Sequence, residues 1–342
     1  MIKSSRLTLI LIFLFSVTRP VVAATAQLQF PRPSEQFIVY YRHWPTEDEF
    51  FHEMGNRYRL IILNTDDLIP PQDLKKTPKT IAEYRKGRIR MLQDAGALVF
   101  GYLSIGEENI ENNQHKPYRG DGLGPCSADS ICHPQKKEKD KVASYYIDDG
   151  DGRPKGHSNK TLFVNAGNRT WRTMVGQRAD DILALGCNGL FLDTLDTVIQ
   201  YKWTQPGMIE LLKDLNGRTR NIIVNRGLVF LENPELANDY KRLSWAVMFE
   251  DFYTEWKNNK GKLYGEEEIK ANRYYWAPML KGKNVLVVDF ASCHQLATND
   301  PLVITQRQAV AAINEEYKPA WLNYIADYDF MEIRYNFACV KG

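Results

Sequence analysis

The chain has 342 residues, and its 44 Lys and Arg side chains nearly balance its 42 Asp and Glu side chains, for a formal net charge of +2. This balance argues against nucleic acid or an anionic membrane as the main partner. Hydrophobic residues make up 44% of the chain, which excludes extensive disorder, and the length suits one large barrel as well as two small domains.

The N-terminus has the three-part layout of a secretory signal peptide. Lys3 and Arg6 precede an apolar run over residues 7–17, and small residues follow over 22–26. The run is short for a membrane span, so we predict a signal peptide over residues 1–26 and a mature domain over 27–342. The alternative is an uncleaved N-terminal anchor. Export would make the protein secreted or periplasmic.

Eight short apolar runs, rich in β-branched and aromatic residues, are predicted to be strands. Most are apolar on both faces, which is typical of buried parallel strands. The runs are Phe37–Tyr41, Leu60–Leu63, Leu98–Leu103, Leu162–Val164, Gly189–Leu192, Ile222–Val224, Ala246–Phe249 and Val285–Val288.

Helices are predicted between many of these runs from capping signals and apolar periodicity. Capping-box patterns begin at Thr46 and at Thr80, the second ahead of a helix that runs to Ala95. Further helices are predicted over Trp171–Leu185, over Gln205–Leu215 and from Pro301 to about Tyr317.

Strands that alternate with helices predict βαβ units and a parallel sheet. Eight strands favour a closed (β/α)8 barrel over a doubly wound sheet, so we predict an α/β fold with a single TIM barrel. Residues 109–160, after the third strand, have little apolar periodicity and many Gly, Pro, Lys and Asp residues. They form a long insertion on the barrel face that carries active sites.

The chain has five cysteines, and export would permit disulfides between them. Cys126 and Cys132 share a polar loop and are candidates to pair, as are Cys293 and Cys339 if the C-terminus folds back. Spacing does not fix the connectivity. A zinc site at the first pair is an alternative that lacks a second pair of ligands. Cys187 precedes an apolar strand and is predicted to be a buried free thiol.

Polar residues end the apolar runs, and in a barrel such residues point into the active site. Glycosidic bond cleavage requires two carboxyl groups, and the acids that end these runs are able to supply that pair, with Asp193 and Glu250 as the strongest candidates. Side chains that end the other runs are predicted to contact substrate, the tyrosines through their ring faces and hydroxyls. These predicted contacts are Tyr40, Asp66, Tyr102, Glu107, Asn165, Asn225 and Asp289.

Each acid also has a structural interpretation. Asp193 is suited to cap the turn that follows it, through Thr194 or a backbone N–H. Glu250 has Arg226 and Arg242 as candidate ion-pair partners. Glu107 is a candidate to shape the subsite or to hold Glu250. Asp66 and Asp289 are suited either to contact substrate or to support residues that do.

Other chemistries lack their motifs. The chain has no Gly-x-Ser-x-Gly elbow, no P-loop, no Gly-rich dinucleotide fingerprint after the first strand and no His-Glu-x-x-His. The six histidines do not fall at ligand spacing. We therefore expect neither a cofactor nor a metal.

Several of these segments together resemble glycoside hydrolase family 114. They are Tyr102–Glu107, Phe163–Asn165 with Trp171 and Arg172, Gly189–Asp196 and the end of the strand at Phe249-Glu250. The family is typified by endo-α-1,4-polygalactosaminidase, and the hydrolase domain that processes Pel polysaccharide is similar. The resemblance implies a (β/α)8 barrel that cleaves α-1,4-linked galactosamine-containing polysaccharide without a metal, with Asp193 and Glu250 as the catalytic acids.

These expectations combine into one functional hypothesis, an exported, monomeric, endo-acting glycoside hydrolase whose partner is an amino-sugar polysaccharide. Asn165 ends the fourth predicted strand where many relatives are expected to have an acid, and the long insertion is able to reshape the cleft. Both bear on the substrate more than on the chemistry. The alternatives are an exported carbohydrate-binding barrel without activity and an exported barrel hydrolase with a non-sugar substrate.

Overall fold

The structure is a computed structural model. It describes residues 28–32, 35–41, 44–74, 77–109, 145–147, 155–157, 161–258, 260–298, 300–316 and 321–326. The predicted signal peptide, the predicted Cys126–Cys132 pair and the proposed partner Cys339 lie outside these residues. Cys187 is a buried free thiol, as predicted, and burial raises its pKa to about 12.

Eight strands form one sheet in which every pairing is parallel. They are β1 (Phe37–Tyr40), β2 (Leu60–Leu63), β3 (Leu98–Ser104), β6 (Gly189–Asp193), β7 (Ile222–Asn225), β8 (Ala246–Glu250), β11 (Asn284–Phe290) and β12 (Trp321–Ala326), and they follow this order across the sheet. The first and last of them lie next to each other, so the sheet curls into a nearly closed barrel. The predicted barrel is therefore confirmed.

Four further strands form two small antiparallel sheets. β4 (Glu107–Asn109) pairs with β5 (Thr161–Phe163), and β9 (Thr254–Trp256) pairs with β10 (Gly261–Leu263). The first small sheet begins directly after β3 and the second after β8. Because the carboxyl ends of all barrel strands meet at one face, both small sheets lie at the same face of the barrel.

Helices connect the barrel strands. They are α1 (Asp48–Arg57), α2 (Pro78–Asp94), α3 (Arg169–Ala184), α4 (Thr197–Gln200), α5 (Gln205–Asn216), α6 (Pro234–Leu243), α7 (Glu266–Ala271), α8 (Ala277–Met279), α9 (Cys293–Ala297) and α10 (Pro301–Glu316). Among the helices of the described residues, we find none with the length and hydropathy of a membrane span.

Two predicted helix starts were wrong. The second helix begins at Pro78, because Thr77 caps it and exchanges a reciprocal pair of hydrogen bonds with Thr80. Thr80 therefore occupies the third helical position and not the cap. The first helix is capped at Glu47, one residue after the predicted Thr46, and the cap makes no side-chain hydrogen bond.

One predicted barrel strand was also wrong. The segment near Leu162–Val164 forms β5, which pairs with β4 outside the barrel, whereas β3 pairs directly with β6. Only one residue of β5 is fully buried, unlike the barrel strands. The eighth barrel strand is β12. Asn323 interrupts its apolar run, so the sequence pattern did not predict this strand. Asp193 therefore ends the fourth barrel strand and Glu250 the sixth.

Alternate residues of the barrel strands belong to two different hydrophobic clusters. The inner cluster fills the barrel and includes Phe37, Phe100, Phe191 and Met248. The outer cluster packs the opposite strand faces against the helices. This alternation decides which side chains at the strand ends point into the barrel and which point at the helices.

Candidate active site

Five polar side chains continue the inner rows of the strands at the carboxyl end of the barrel. Tyr41 follows Phe37 and Val39, and Tyr102 follows Leu98 and Phe100, so both tyrosines pack on the inner cluster. Asp193, Asn225 and Glu250 end their strands two residues beyond Phe191, Ile223 and Met248, which belong to that cluster. We call this group, Tyr41, Tyr102, Asp193, Asn225 and Glu250, the carboxylate cluster.

Asn225 joins the two predicted catalytic acids. Its Nδ2 donates a hydrogen bond to Oδ1 of Asp193 at 2.8 Å and another to Oε2 of Glu250 at 2.7 Å. The two acceptor oxygens are therefore separated by no more than the sum of these distances, about 5.5 Å. Two acids that were predicted from separate strand ends thus face each other across one amide.

Asp193 is held as a hydrogen-bond acceptor on both oxygens. Besides the Asn225 amide, Oδ1 accepts from the backbone N–H of Thr194 at 2.8 Å, and Oδ2 accepts from the hydroxyl of Tyr102 at 3.0 Å. The predicted cap interaction with Thr194 is therefore present alongside the contacts across the barrel. These three donors fix the orientation of the carboxylate.

Glu250 has a different environment. Burial raises the pKa of its carboxyl, and the nearby charge of Asp193 raises it further, against the lowering effects of Asn225 and Arg226. The predicted ion pairs are taken by other acids, because Arg226 binds Asp196 at 3.2 Å and Arg242 binds Asp239 at 2.7 Å. A partly buried carboxyl with a raised pKa is suited to hold a proton.

Asp251, which directly follows Glu250, was not singled out by the sequence. Burial raises the pKa of its carboxyl to about 7, and the charge of Glu250 adds to this shift. Its Oδ1 is buried without a hydrogen-bond partner among the described residues. A second acid with a raised pKa therefore lies next to Glu250.

Glu107 lies on β4 at the edge of the carboxylate cluster and is only 6% exposed. Its Oε1 contacts Nε2 of His157 at 2.9 Å and lies 3.5 Å from the hydroxyl of Thr197. Burial raises the pKa of Glu107, His157 lowers it, and the charge of Asp193 raises it. His157 comes from the predicted insertion, where no motif marked it. Glu107 therefore links this part of the insertion to the site and does not hold Glu250.

Three non-glycine residues with left-handed backbone directly follow the central acids and amide. They are Thr194 (φ 67°) after Asp193, Arg226 (φ 52°) after Asn225 and Asp251 (φ 57°) after Glu250. Such residues are strained by roughly 1–3 kcal/mol each and are retained only where surrounding contacts hold them. The chain therefore turns sharply at each of the three strand ends.

Thr194 shows what holds one of these turns. Its Oγ1 lies 2.9 Å from the hydroxyl of Ser104 and accepts from the N–H of Gly106 at 2.9 Å. A Cβ at Gly106 would lie 2.0 Å from the carbonyl oxygen of Thr194, so no larger residue fits there. The contacts between Gly106 and Thr194 thus fix the backbone directly after Asp193.

Besides Glu107, four predicted contact residues lie outside the carboxylate cluster. Tyr40 belongs to the outer face of β1, where its ring packs edge-on against Trp44 at 5.0 Å. The Asp66 side chain is 77% exposed and pairs with Arg85 of α2 at 2.7 Å. Asn165 follows β5 and accepts from the N–H of Gly167 in its own turn. Asp289 is fully buried.

Asp289 stabilises the loop that follows β8. Its Oδ1 accepts from the backbone N–H of Tyr253 at 2.7 Å, from that of Thr254 at 3.0 Å and from the Thr254 hydroxyl at 3.1 Å. Strand alternation explains its position, because Val288 and Phe290 belong to the inner cluster and Asp289 therefore points outwards. It supports the hairpin near Glu250 and does not line the barrel mouth.

We expect Asp289 to make stability depend on pH. Burial raises its pKa from 3.8 to about 6. The contribution of the protonated Asp289 carboxyl to the free energy of unfolding is therefore full below pH 4 and is lost as the pH rises through 6. Asp289→Asn keeps an acceptor for the loop and should remove about 2–3 kcal/mol of this pH dependence. Asp289→Ala leaves three donors unpaired and should lower the free energy of unfolding by about 2–4 kcal/mol. Urea unfolding at pH 4.5 and 7 measures both effects, and equal pH dependence in wild type and the Asn variant would contradict the assignment.

Within the part of the chain that the structure describes, no three His, Cys, Asp or Glu side chains lie together so as to hold a metal ion.

Comparison with known proteins identifies the fold. No protein-family model matches the chain, and no curated protein matches it. The glycoside hydrolase domain of PelA from Pseudomonas aeruginosa matches with a TM-score of 0.57 and 15% identity, over 87% of this chain and 96% of that one. A variant of the same domain matches with a TM-score of 0.56, the same identity and the same coverage. Trehalose-6-phosphate hydrolase from Bacillus licheniformis matches with a TM-score of 0.50 and 9% identity, over 86% of this chain and 64% of that one. The chain thus has the barrel fold of the PelA hydrolase domain, as the family resemblance implied.

Proposed function

We propose that this protein is a retaining glycoside hydrolase in which Asp193 is the nucleophile and Glu250 is the general acid and base. The observation that carries the proposal is the shared Asn225 amide, which holds one oxygen of each acid within about 5.5 Å of the other. Retaining glycosidases have carboxyl groups roughly 5–5.5 Å apart, whereas inverting ones need roughly 6.5–9.5 Å to admit a water molecule. The upper bound on the separation of these two oxygens lies below the inverting range and so supports retention.

The environments of the two acids support their roles. Asp193 accepts three hydrogen bonds, which hold its carboxylate in the fixed orientation that a nucleophile requires. Glu250 is partly buried beside Asp193, and its raised pKa favours the protonated form that a general acid requires. Asn225 donates to Oε2 of Glu250 and so leaves Oε1 as the oxygen that carries the proton.

The proposed reaction has two steps. In the first, Glu250 gives its proton to the glycosidic oxygen while that oxygen leaves the anomeric carbon, and Asp193 forms a glycosyl ester with the carbon. In the second, the Glu250 carboxylate takes a proton from water as the water oxygen attacks the anomeric carbon. The ester bond to Asp193 breaks, and both acids return to their initial states.

The proposed substrate is α-1,4-linked galactosamine-containing polysaccharide, which the protein would cleave internally after export. The family resemblance supports the linkage, the internal cleavage and the sugar, and the predicted signal peptide supports export. The described site adds a charge argument, because carboxyl groups outnumber the basic side chains of Arg226 and His157 around it. Besides Glu250, which the mechanism requires to be protonated, the acids concerned are Glu107, Asp193, Asp196 and Asp251. Such a site attracts the ammonium groups of a deacetylated amino sugar.

Release of reducing ends tests this proposal. The full chain is incubated with deacetylated α-1,4-galactosamine polymer, with its acetylated form and with an α-1,4-glucan of the same length. We expect reducing ends from the deacetylated polymer and few from the glucan. Binding of the polymer without turnover would favour a carbohydrate-binding barrel instead, and absence of affinity for any glycan on an array would favour a non-sugar substrate.

The anomeric form of the first product gives a separate prediction. Two displacements at the anomeric carbon should release the new reducing end in the α form, because each displacement inverts the configuration once. Proton NMR spectra recorded in the first minutes of hydrolysis distinguish the two anomers before they equilibrate. First release of the β form would show a single displacement and would contradict the role given to Asp193.

A further inference from the structure

Tyr41, a member of the carboxylate cluster, has a hydroxyl group without a partner among the described residues. The oxygen is buried and makes no hydrogen bond to any residue that the structure describes. Its ring meets the ring of Tyr102 edge-on at 4.9 Å and lies 6.3 Å from the ring of Phe191. Contacts on the inner cluster therefore fix the ring, while the hydroxyl remains unsatisfied.

The two tyrosines of the cluster differ in how their hydroxyls are used. The Tyr102 hydroxyl donates to Asp193 at 3.0 Å. Burial raises the pKa of the Tyr41 hydroxyl, and the charges of Asp193 and Glu250 raise it further, yet the hydroxyl bonds to neither carboxylate. The contact of its ring with Tyr102, whose hydroxyl bonds Asp193, places Tyr41 beside the acids.

Packing alone does not explain a tyrosine at this position. A buried hydroxyl without a partner costs free energy, and phenylalanine would make the same ring contacts without that cost. Buried polar groups that lack a partner are rare in proteins and require a specific explanation. A substrate bound between Asp193 and Glu250, as the proposed mechanism requires, would bring oxygens that are able to be the missing partner.

We infer that the hydroxyl of Tyr41 hydrogen-bonds an oxygen of the sugar unit whose anomeric carbon Asp193 attacks. This inference rests on the proposed function and adds to it a substrate-binding residue that the sequence did not single out. The strand alternation explains the omission, since the predicted contact was the adjacent Tyr40, which lies on the opposite face of β1.

The test compares Tyr41→Phe with Tyr40→Phe, two matched substitutions in adjacent residues. Tyr41→Phe should lower kcat/KM on α-1,4-galactosamine oligosaccharides by about 10- to 100-fold. Its melting temperature should stay the same or rise, because an unsatisfied group is removed. Tyr40→Phe keeps its ring contact with Trp44 and should leave kcat/KM unchanged. A merely structural role of Tyr41 would instead lower the melting temperature and spare kcat/KM.

Binding measurements separate this inference from the proposed function. Calorimetry measures affinity for the same oligosaccharides in proteins that carry Asp193→Asn, which prevents turnover. The double variant with Tyr41→Phe should bind about 10-fold more weakly, or worse, than Asp193→Asn alone. If wild type hydrolyses the substrate and Tyr41→Phe matches it in both kcat/KM and affinity, the inference fails and the function stands. If wild type binds without turnover, the proposed function fails and the affinity loss still tests Tyr41. Absence of binding by wild type overturns both.

Discussion

Replacing Asp193 with Asn is expected to lower kcat on the galactosamine polymer by at least about 10³-fold, because an amide cannot form the glycosyl ester. The amide is nearly the same size as the carboxylate and still accepts the N–H of Thr194, so the fold should persist. Initial rates of reducing-end release measure the effect, and circular dichroism checks the fold. Asp180→Asn, which changes an exposed acid of α3 that pairs with Arg218, is the matched control and should retain full activity.

The products that form with azide in two variants test the role of Asp193 more directly than a loss of rate does. In Asp193→Ala, azide fits the space of the missing carboxylate and should attack an α-glycosyl fluoride once, to give a β-glycosyl azide. In Glu250→Ala, the Asp193 ester still forms, and azide should then displace it to give the α-glycosyl azide. The reverse pattern of products would exchange the two roles. Asp193→Asn with more than about a tenth of wild-type activity would contradict a nucleophilic role altogether.

Replacing Glu250 with Gln should lower kcat/KM on the polymer by about 10²–10⁴-fold, because the leaving sugar then receives no proton. An activated aryl glycoside needs no such proton, so the variant should lose much less of the rate of the glycosylation step with that substrate. Burst kinetics with the aryl substrate measure that step alone. Glu235→Gln, an exposed substitution in the first turn of α6, serves as the control. Equal losses on both substrates would show that Glu250 does not protonate the leaving group.

The same assignment fixes a pH dependence. Glu250 must be protonated in the free protein, and burial together with the charge of Asp193 raises its pKa. The activity of wild type should therefore fall as the pH rises through the pKa of Glu250, and this alkaline limb should vanish in Glu250→Gln. The hydrogen bond from Asn225 lowers the pKa of Glu250, so it moves the alkaline limb of the activity profile to lower pH.

Strand ends were predictable from the sequence where a buried apolar run met a polar residue. Asp193, Asn225 and Glu250 each directly follow such a run, and the structure brings all three together. Tyr40 and Asp289 meet the same criterion and lie elsewhere, because the criterion ignores which face of the strand a residue occupies. Counting in steps of two from Val39 and from Val288 would have pointed to Tyr41 and excluded Asp289.

The order of the strands was less predictable. The apolar residues of β5 resemble those of a barrel strand, and only its antiparallel pairing with β4 places it outside the barrel. The last barrel strand was hidden because Asn323 breaks its apolar run. His157 gave no signal, since its contact with Glu107 joins two segments that are 50 residues apart in a region without periodicity. Pairing over long separations in the chain is a property of the folded state that local patterns do not contain.

The three left-handed turns after Asp193, Asn225 and Glu250 limit the choice of positions for substitutions that raise the thermal stability of this barrel. Each turn holds a residue with a side chain in a conformation that glycine adopts freely, so glycine would relax the backbone there. Two of those side chains also have other contacts, since Thr194 binds Gly106 and Arg226 binds Asp196. Thermostability is therefore better sought in the outer helices, because substitutions at these turns trade rigidity of the barrel mouth for relief of backbone strain.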